Sequence, residues 1–226
     1  MLPAIKNTIV FIFLLLSISA FSQQNKWDIG IVGGPGITAL RMKNWPVSPP
    51  SPTIGFYTGL SGQYNFNEHF AIHTELAFDR KGTSDKLTFT DVNGNIHGTG
   101  KAVNQLNYLT LPLLFRASVG NKVKYFLQAG PYLSYLLNQT SKYSISLEDP
   151  RYNFHINGTA YMPSMDFGIV TGIGLLVPVK EKFSISCELR GNYGLVNLTN
   201  TSNNSTIKRY NESLNFLVGI AYKLGE

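Results

Sequence analysis

From residue 27 onward, bulky apolar residues alternate with small or polar ones, and the alternation recurs in eight segments. The first, 27–40, sets Trp27, Ile29, Ile31, Ile37 and Ala39 against Asp28, Gly30, Gly34, Gly36 and Thr38. A two-residue period puts the two sets on opposite faces of a β-strand. Segment 54–66 opposes Phe56, Leu60, Tyr64 and Phe66 to Gly55, Gly59, Ser61, Gln63 and Asn65. Segment 69–81 opposes Phe70, Ile72, Leu76 and Phe78 to Ala71, His73, Glu75, Ala77 and Asp79. The same pattern predicts strands over 106–119, 124–137, 165–177, 183–195 and 214–224. Pro112 lacks a ladder donor and predicts a bulge in the fourth strand.

Short turns at 67–68, 120–123 and 178–182 alternate with long polar connections at 41–53, 82–105, 138–164 and 196–213. Within the second long connection, Asn93-Gly94 predicts a small hairpin ribbon belonging to the loop itself. The sum is an all-β protein: an eight-stranded antiparallel up-and-down transmembrane β-barrel with long extracellular loops and short periplasmic turns. A soluble lipocalin-type barrel shows the same pattern turned inside out, and volume separates the two. The interior of eight strands is only just wide enough for side chains to fill, so the Gly/Ala/Ser-rich set suits the lumen and the Phe/Leu/Ile set faces lipid. Aromatics gather near the ends of the greasy face, as interfacial girdles do. Trp27, Phe66, Phe70, Phe183 and Tyr222 fall at one rim, and Phe56, Phe78, Tyr135 and Tyr193 at the other.

Lys6, the apolar run 9–18 and Ala20-Phe21-Ser22 form the three parts of an export signal, which predicts residues 1–22 as a cleaved signal peptide and 23–226 as the barrel domain. A retained helical anchor is the alternative, but the apolar run falls short of the roughly 20 residues a spanning helix needs. Net charge is +6 over the chain, with the basic residues scattered rather than clustered. With an export signal this argues for an anionic membrane surface and against nucleic acid. Cys187 is the single cysteine, so no intramolecular disulfide forms.

Motifs along the whole mature chain resemble the PorT-like small outer-membrane β-barrel family of Bacteroidota. They are Asn67-Glu68-His69-Phe70 leading to Glu75-Leu76 and Arg80-Lys81-Gly82; Tyr108-Leu109-Thr110-Leu111-Pro112-Leu113-Leu114; Ala129-Gly130-Pro131-Tyr132; Asp166-Phe167-Gly168; and Glu188-Leu189-Arg190 before Asn192-Tyr193-Gly194-Leu195. The resemblance implies a barrel in the outer membrane of a Gram-negative bacterium but no shared biochemical role. Gly219-x-x-Tyr222-x-Leu224 resembles the signal read by the barrel-assembly machinery, the expected partner during insertion; it departs from the usual form in ending on Leu with Gly225-Glu226 after it.

Chemical motifs are weak. Gly34-x-Gly36-x-x-Ala39 matches a dinucleotide fingerprint, yet no helix follows to receive a pyrophosphate. His69 and His73 on one strand would stand roughly 13 Å apart, too far for one ion. His97 and His155 have no Cys or carboxylate cluster at ligand spacing, Cys187 has no neighbouring base, and no Gly-x-Ser-x-Gly elbow occurs. The expectation is therefore a protein without cofactor, metal or enzymatic activity.

The inward set carries Asp28, Glu75, Arg116, Lys124, Asp166, Glu188, Arg190 and Lys223. Glu75, Arg116, Glu188 and Arg190 are expected to form one ion-pair network. Glu75 and Arg116 should approach directly from neighbouring strands, with the strand carrying Glu188 and Arg190 facing Glu75 across the lumen. Such a lumen reads as a plug, with an ion conduit or acid/base work by Glu75 and Glu188 as alternatives. Arg41, Lys43, Lys81, Lys101, Lys142, Lys208 and Arg209 fall at the predicted outer rim, where contact with lipopolysaccharide phosphates is expected beside ordinary solvated loop charge. The function expected is that of a non-enzymatic integral outer-membrane barrel acting through its extracellular loops, or within an envelope or secretion assembly. A small transport barrel and an outer-membrane lipid-modifying enzyme are the alternatives.

Overall fold

Strand-forming alternation runs further along the chain than its greasy part. The computed structural model describes residues 26–44, 49–90, 92–94, 96–147, 151–180, 182–199 and 206–224; the expected signal peptide lies outside them. Among these are nine strands: β1 (Trp27–Lys43), β2 (Ser51–Asn65), β3 (Phe70–Thr90), β4 (Ile96–Val119), β5 (Lys124–Leu147), β6 (Arg151–Asn157), β7 (Met165–Pro178), β8 (Phe183–Gly194) and β9 (Lys208–Leu224). Eight of them close a ring in the order β1, β2, β3, β4, β5, β7, β8, β9 and back to β1. Every pairing is antiparallel. These eight are the eight segments of alternation, and β6 is an addition outside the ring.

Both long connections predicted on either side of β4 are largely sheet. The β3–β4 ladder continues from Ser84 opposite Val103 to Thr90 opposite Ile96, so no separate ribbon forms in 82–105. The hairpin turns at Asn93-Gly94, where Gly94 takes φ +85°, a conformation costly for other residues. In 138–164, β5 runs on to Leu147 and β6 returns against it, with Lys142 opposite His155. β3, β4, β5 and β6 thus build a four-stranded sheet beyond the barrel wall. Polar β-formers such as Thr88, Thr90, Thr99 and Ser144 lack the greasy marker of a membrane strand but fit a solvated one.

Pro112 does not make the bulge expected of it. The rungs between β3 and β4 lapse beside it, and the register resumes unshifted from Thr74 opposite Leu113 to Ala77 opposite Thr110. The irregularity falls higher, where Asn107 faces Asn138 but Tyr108 faces Leu136, leaving Leu137 as the extra residue. Ladder strands donate to alternate neighbours, so a single missing donor is absorbed locally.

The outward face is apolar and exposed along every ring strand, as at Ile31, Leu60, Leu76, Leu111, Leu127, Ile173, Leu189 and Phe216. At the short-turn end, Trp27 packs on Tyr64 (4.9 Å), Tyr64 on Phe66 (5.4 Å) and Phe183 on Tyr222 (5.1 Å), forming one aromatic rim. No helix among the described residues is long and apolar enough to cross a membrane. The strands are the membrane-crossing elements.

Ladder geometry fixes which inward residues share a level. Ala117 of β4 stands opposite Phe70 of β3, which puts Val119 level with the backbone two residues earlier, at 68. Followed the other way round the ring, Val119 leads through Tyr125, Leu175, Cys187, Val218, Gly33 and Thr58 to Phe78. The ladder therefore returns ten residues higher on β3, from 68 to 78, a stagger that tilts the strands by roughly 40°.

Candidate functional site

Half a circuit from β3 lies β8, and there the ladder has climbed about five residues, half of the stagger. Arg190 shares a ladder row with Gly172, Gln128, Arg116 and Ala71. That climb lifts it from the level of Ala71 to the level of Glu75, directly across the lumen. Its guanidinium donates to both Glu75 oxygens, at 2.7 and 2.8 Å, and to both Glu188 oxygens, at 2.7 and 2.9 Å. All three side chains are buried. Tyr57 donates its hydroxyl to Glu75, and His73 Nε2 lies 2.7 Å from Glu75 Oε1. Gly172 leaves the room: a Cβ there would run into the Glu188 carboxylate.

Arg116 does not pair with Glu75, contrary to the sequence expectation. It donates to Gln128 Oε1 (2.8 Å) and Gln63 Oε1 (2.7 Å), and its guanidinium sits 4.1 Å from the Phe126 ring centre. Adjacent strands did not bring the two together because Arg116 stands opposite Ala71, four residues and roughly 13 Å along β3 from Glu75. Gln128 Nε2 in turn donates to Glu188 Oε1 at 2.6 Å, so Arg116 joins the other three through an amide rather than an ion pair.

Lys81 is the second correction. Expected at the outer rim against lipopolysaccharide, it is 2% exposed and lies inside the barrel. Its ammonium stands 3.3 Å from Asp79 and 3.9 Å from Asp166, with the Tyr132 ring centre 4.6 Å away. The alternation that sends Asp79 inward sends Lys81 inward too, so the signal was present. Tyr57, on the parity of Gly55 and Gly59, is another inward residue readable in that way. Asp166 also accepts from Tyr132 (3.1 Å) and Asn211 (2.8 Å).

At the short-turn end the lumen opens into a cavity of about 340 Å³ lined by Asp28, Gln63, Arg116, Lys124 and Lys223. Beside His73, Glu75 and Glu188 the space shrinks to about 30 Å³, room for one or two waters. Higher still, Leu114, Tyr132 and Val170 pack together, as do Val32, Tyr57, Ala77 and Leu217. The lumen is a filled core over most of its height.

The remaining rim cations divide. Arg41 is held on the wall, 4.2 Å from the Tyr193 ring centre and donating to the Gly194 carbonyl at 3.1 Å. Arg209 donates to Thr199 at 3.3 Å. Lys43 and Lys208 stand opposite each other on β1 and β9, both exposed. Lys101 and Lys142 are exposed on the outer sheet.

The family model described as outer membrane protein beta-barrel domain matches residues 21–200. The chain belongs to that family. Among solved structures, this barrel is similar to Neisserial surface protein A, with TM-score 0.46 and 14% identity over 87% of this chain and 96% of that one. It is also similar to OprG of Pseudomonas aeruginosa, with TM-score 0.40 and 10% identity over 89% and 97% of the two chains. Ail of Yersinia pestis follows with TM-score 0.33 and 13% identity over 87% and 98%. No curated protein matches by sequence. The outer membrane of a Gram-negative bacterium is the location the family gives this barrel.

Proposed function

We propose that this outer-membrane barrel is a closed, non-enzymatic support that works through the sheet it raises outside the cell. The observation that carries the reading is Arg190 clamped between Glu75 and Glu188 across the lumen, with the aromatic and aliphatic layers above it. A lumen so filled leaves the long end of the strands as the part free to meet a partner, and function on such barrels resides mostly in what projects from the rigid wall. The partner class is a component of the cell envelope, within an envelope or secretion assembly. Resemblance to PorT-like barrels of Bacteroidota supports this setting, as do the export signal at 1–22 and the terminal Gly219-x-x-Tyr222-x-Leu224 for the barrel-assembly machinery.

Planar-bilayer recording of the purified full chain tests closure. No discrete conductance steps are expected, and steady ion current through the wild type would make transport the better reading. Affinity capture from native envelopes with and without residues 85–102 tests the projecting sheet. The captured envelope component should be lost with the hairpin while the barrel stays folded.

A further inference from the structure

The outer sheet has two faces of opposite character, and the ladder sorts them. On β3 the inward parity continues from Lys81 through Thr83 and Asp85 to Leu87 and Phe89; the lipid-facing parity continues through Ser84, Lys86 and Thr88. Lys86 stands directly opposite Lys101, Lys101 opposite Ser144, Val103 opposite Lys142, and Lys142 opposite His155. Lys86, Lys101, Lys142 and His155 therefore share the one face that continues the lipid-facing wall, and all four are exposed. No carboxylate among the described residues falls on that face; Asp85 is on the other.

Two lysines directly across an antiparallel pair repel each other, an arrangement that costs stability unless an anion sits between them. A groove of about 330 Å³ runs along this face, lined by Lys101, Val103, Lys142, Ser144, Asn153 and His155 together with Tyr143 and Phe154, and Lys86 stands beside it, directly across the ladder from Lys101. On the reverse face Tyr143 stacks on Phe154 at 4.9 Å and 15°, which fixes β5 and β6 side by side beneath the groove. Ammonium, imidazole, hydroxyl and amide groups on a rigid floor are the donors a phosphate monoester takes.

Height selects the source of that phosphate. Leu137 is the last apolar outward residue on β5, and Lys142 follows within five residues. At about 3.3 Å per residue and the tilt above, the groove stands roughly 10 to 20 Å over the hydrocarbon boundary. That is the layer of sugar headgroups around the barrel. Building on the reading of the sheet as the working part, we infer that this groove binds phosphorylated saccharide of the surrounding outer-leaflet glycolipid, with Lys86, Lys101 and Lys142 as the phosphate ligands.

The test uses the full chain in lipid nanodiscs, titrated with purified lipopolysaccharide carrying a phosphorylated core and with the same material after chemical dephosphorylation. Wild type should bind the phosphorylated form at least ten-fold more tightly. The Lys86→Gln/Lys101→Gln/Lys142→Gln variant should lose that preference, whereas Lys122→Gln/Lys180→Gln at the short-turn end should keep it. A second readout is independent of affinity: Lys86→Gln should raise the unfolding temperature without lipopolysaccharide, by relieving the repulsion, and reduce the further rise that phosphorylated lipopolysaccharide gives. Equal binding of the dephosphorylated form, equal binding by the triple variant, or saturation of the groove by millimolar inorganic phosphate alone would overturn the inference. Ion current through the wild type would instead count against the closed-support reading and leave the groove standing.

Discussion

Arg190 on β8 and Glu75 on β3 are joined across the full width of the lumen by two parallel hydrogen bonds of 2.7 and 2.8 Å. The same guanidinium is forked onto Glu188, so one cation serves two buried carboxylates. Arg190→Met should strip both acids of their guanidinium, leaving Glu75 to Tyr57 and His73 and Glu188 to Gln128, and lower stability by about 3 to 5 kcal/mol. Adding Glu75→Gln and Glu188→Gln should recover much of that loss. The midpoint of urea unfolding in phospholipid vesicles, read by heat-modifiable migration, measures both.

Arg116 should behave differently, because its partners are amides and an aromatic ring. In double-mutant cycles the coupling of Arg116 to Glu75 should be smaller than that of Arg190 to Glu75 by 1 kcal/mol or more, in the range that separates contacting from non-contacting residues, about 0.5 to 3 kcal/mol. Equal couplings would mean that Arg116 and Glu75 meet in the membrane as sequence adjacency suggested.

These two arginines show what was legible in the chain and what was not. Parity alone sends Glu75, Arg116, Glu188 and Arg190 inward, and the structure has all four inside. Parity says nothing of height, which comes from the stagger of the closed ladder, a property of the whole ring and of no single strand. Hence the inward set was readable and the pairing was not. The outer sheet escaped for another reason: beyond the lipid boundary the lipid-facing parity turns polar, at Lys86, Thr88, Lys142 and Ser144, while the apolar alternates Leu87, Phe89, Tyr143 and Ile145 fall on the lumen parity, so strands read from a greasy outward face stopped there. Lys81 was missed only because proximity to a predicted loop outweighed its parity with Asp79.

Lys81→Met should therefore act on stability rather than on lipid contact. It leaves Asp79 and Asp166 buried with no cation between them, at a cost of about 3 to 5 kcal/mol. Asp79→Asn in the same chain should restore part of it. Lipopolysaccharide binding by the folded fraction should stay at the wild-type level, whereas a fall comparable to that from Lys101→Gln would place Lys81 at the surface after all.

Orientation gives the last prediction. Val92 at the tip of the β3–β4 hairpin is fully exposed, and Glu68 lies exposed in the turn between β2 and β3 at the opposite end. Glu68 is a better probe than Asn67, whose side chain accepts from the backbone N–H groups of His69 and Phe70 at 2.9 Å and holds the turn. In a Cys187→Ser background, Val92→Cys should react with a membrane-impermeant maleimide on intact cells. Glu68→Cys should react only after the outer membrane is permeabilised, because barrels of this kind insert with short turns facing the periplasm. Labelling of Glu68→Cys alone on intact cells would invert the barrel. It would place the lysine-bearing sheet in the periplasm, removing both the glycolipid and the surface partner from its reach.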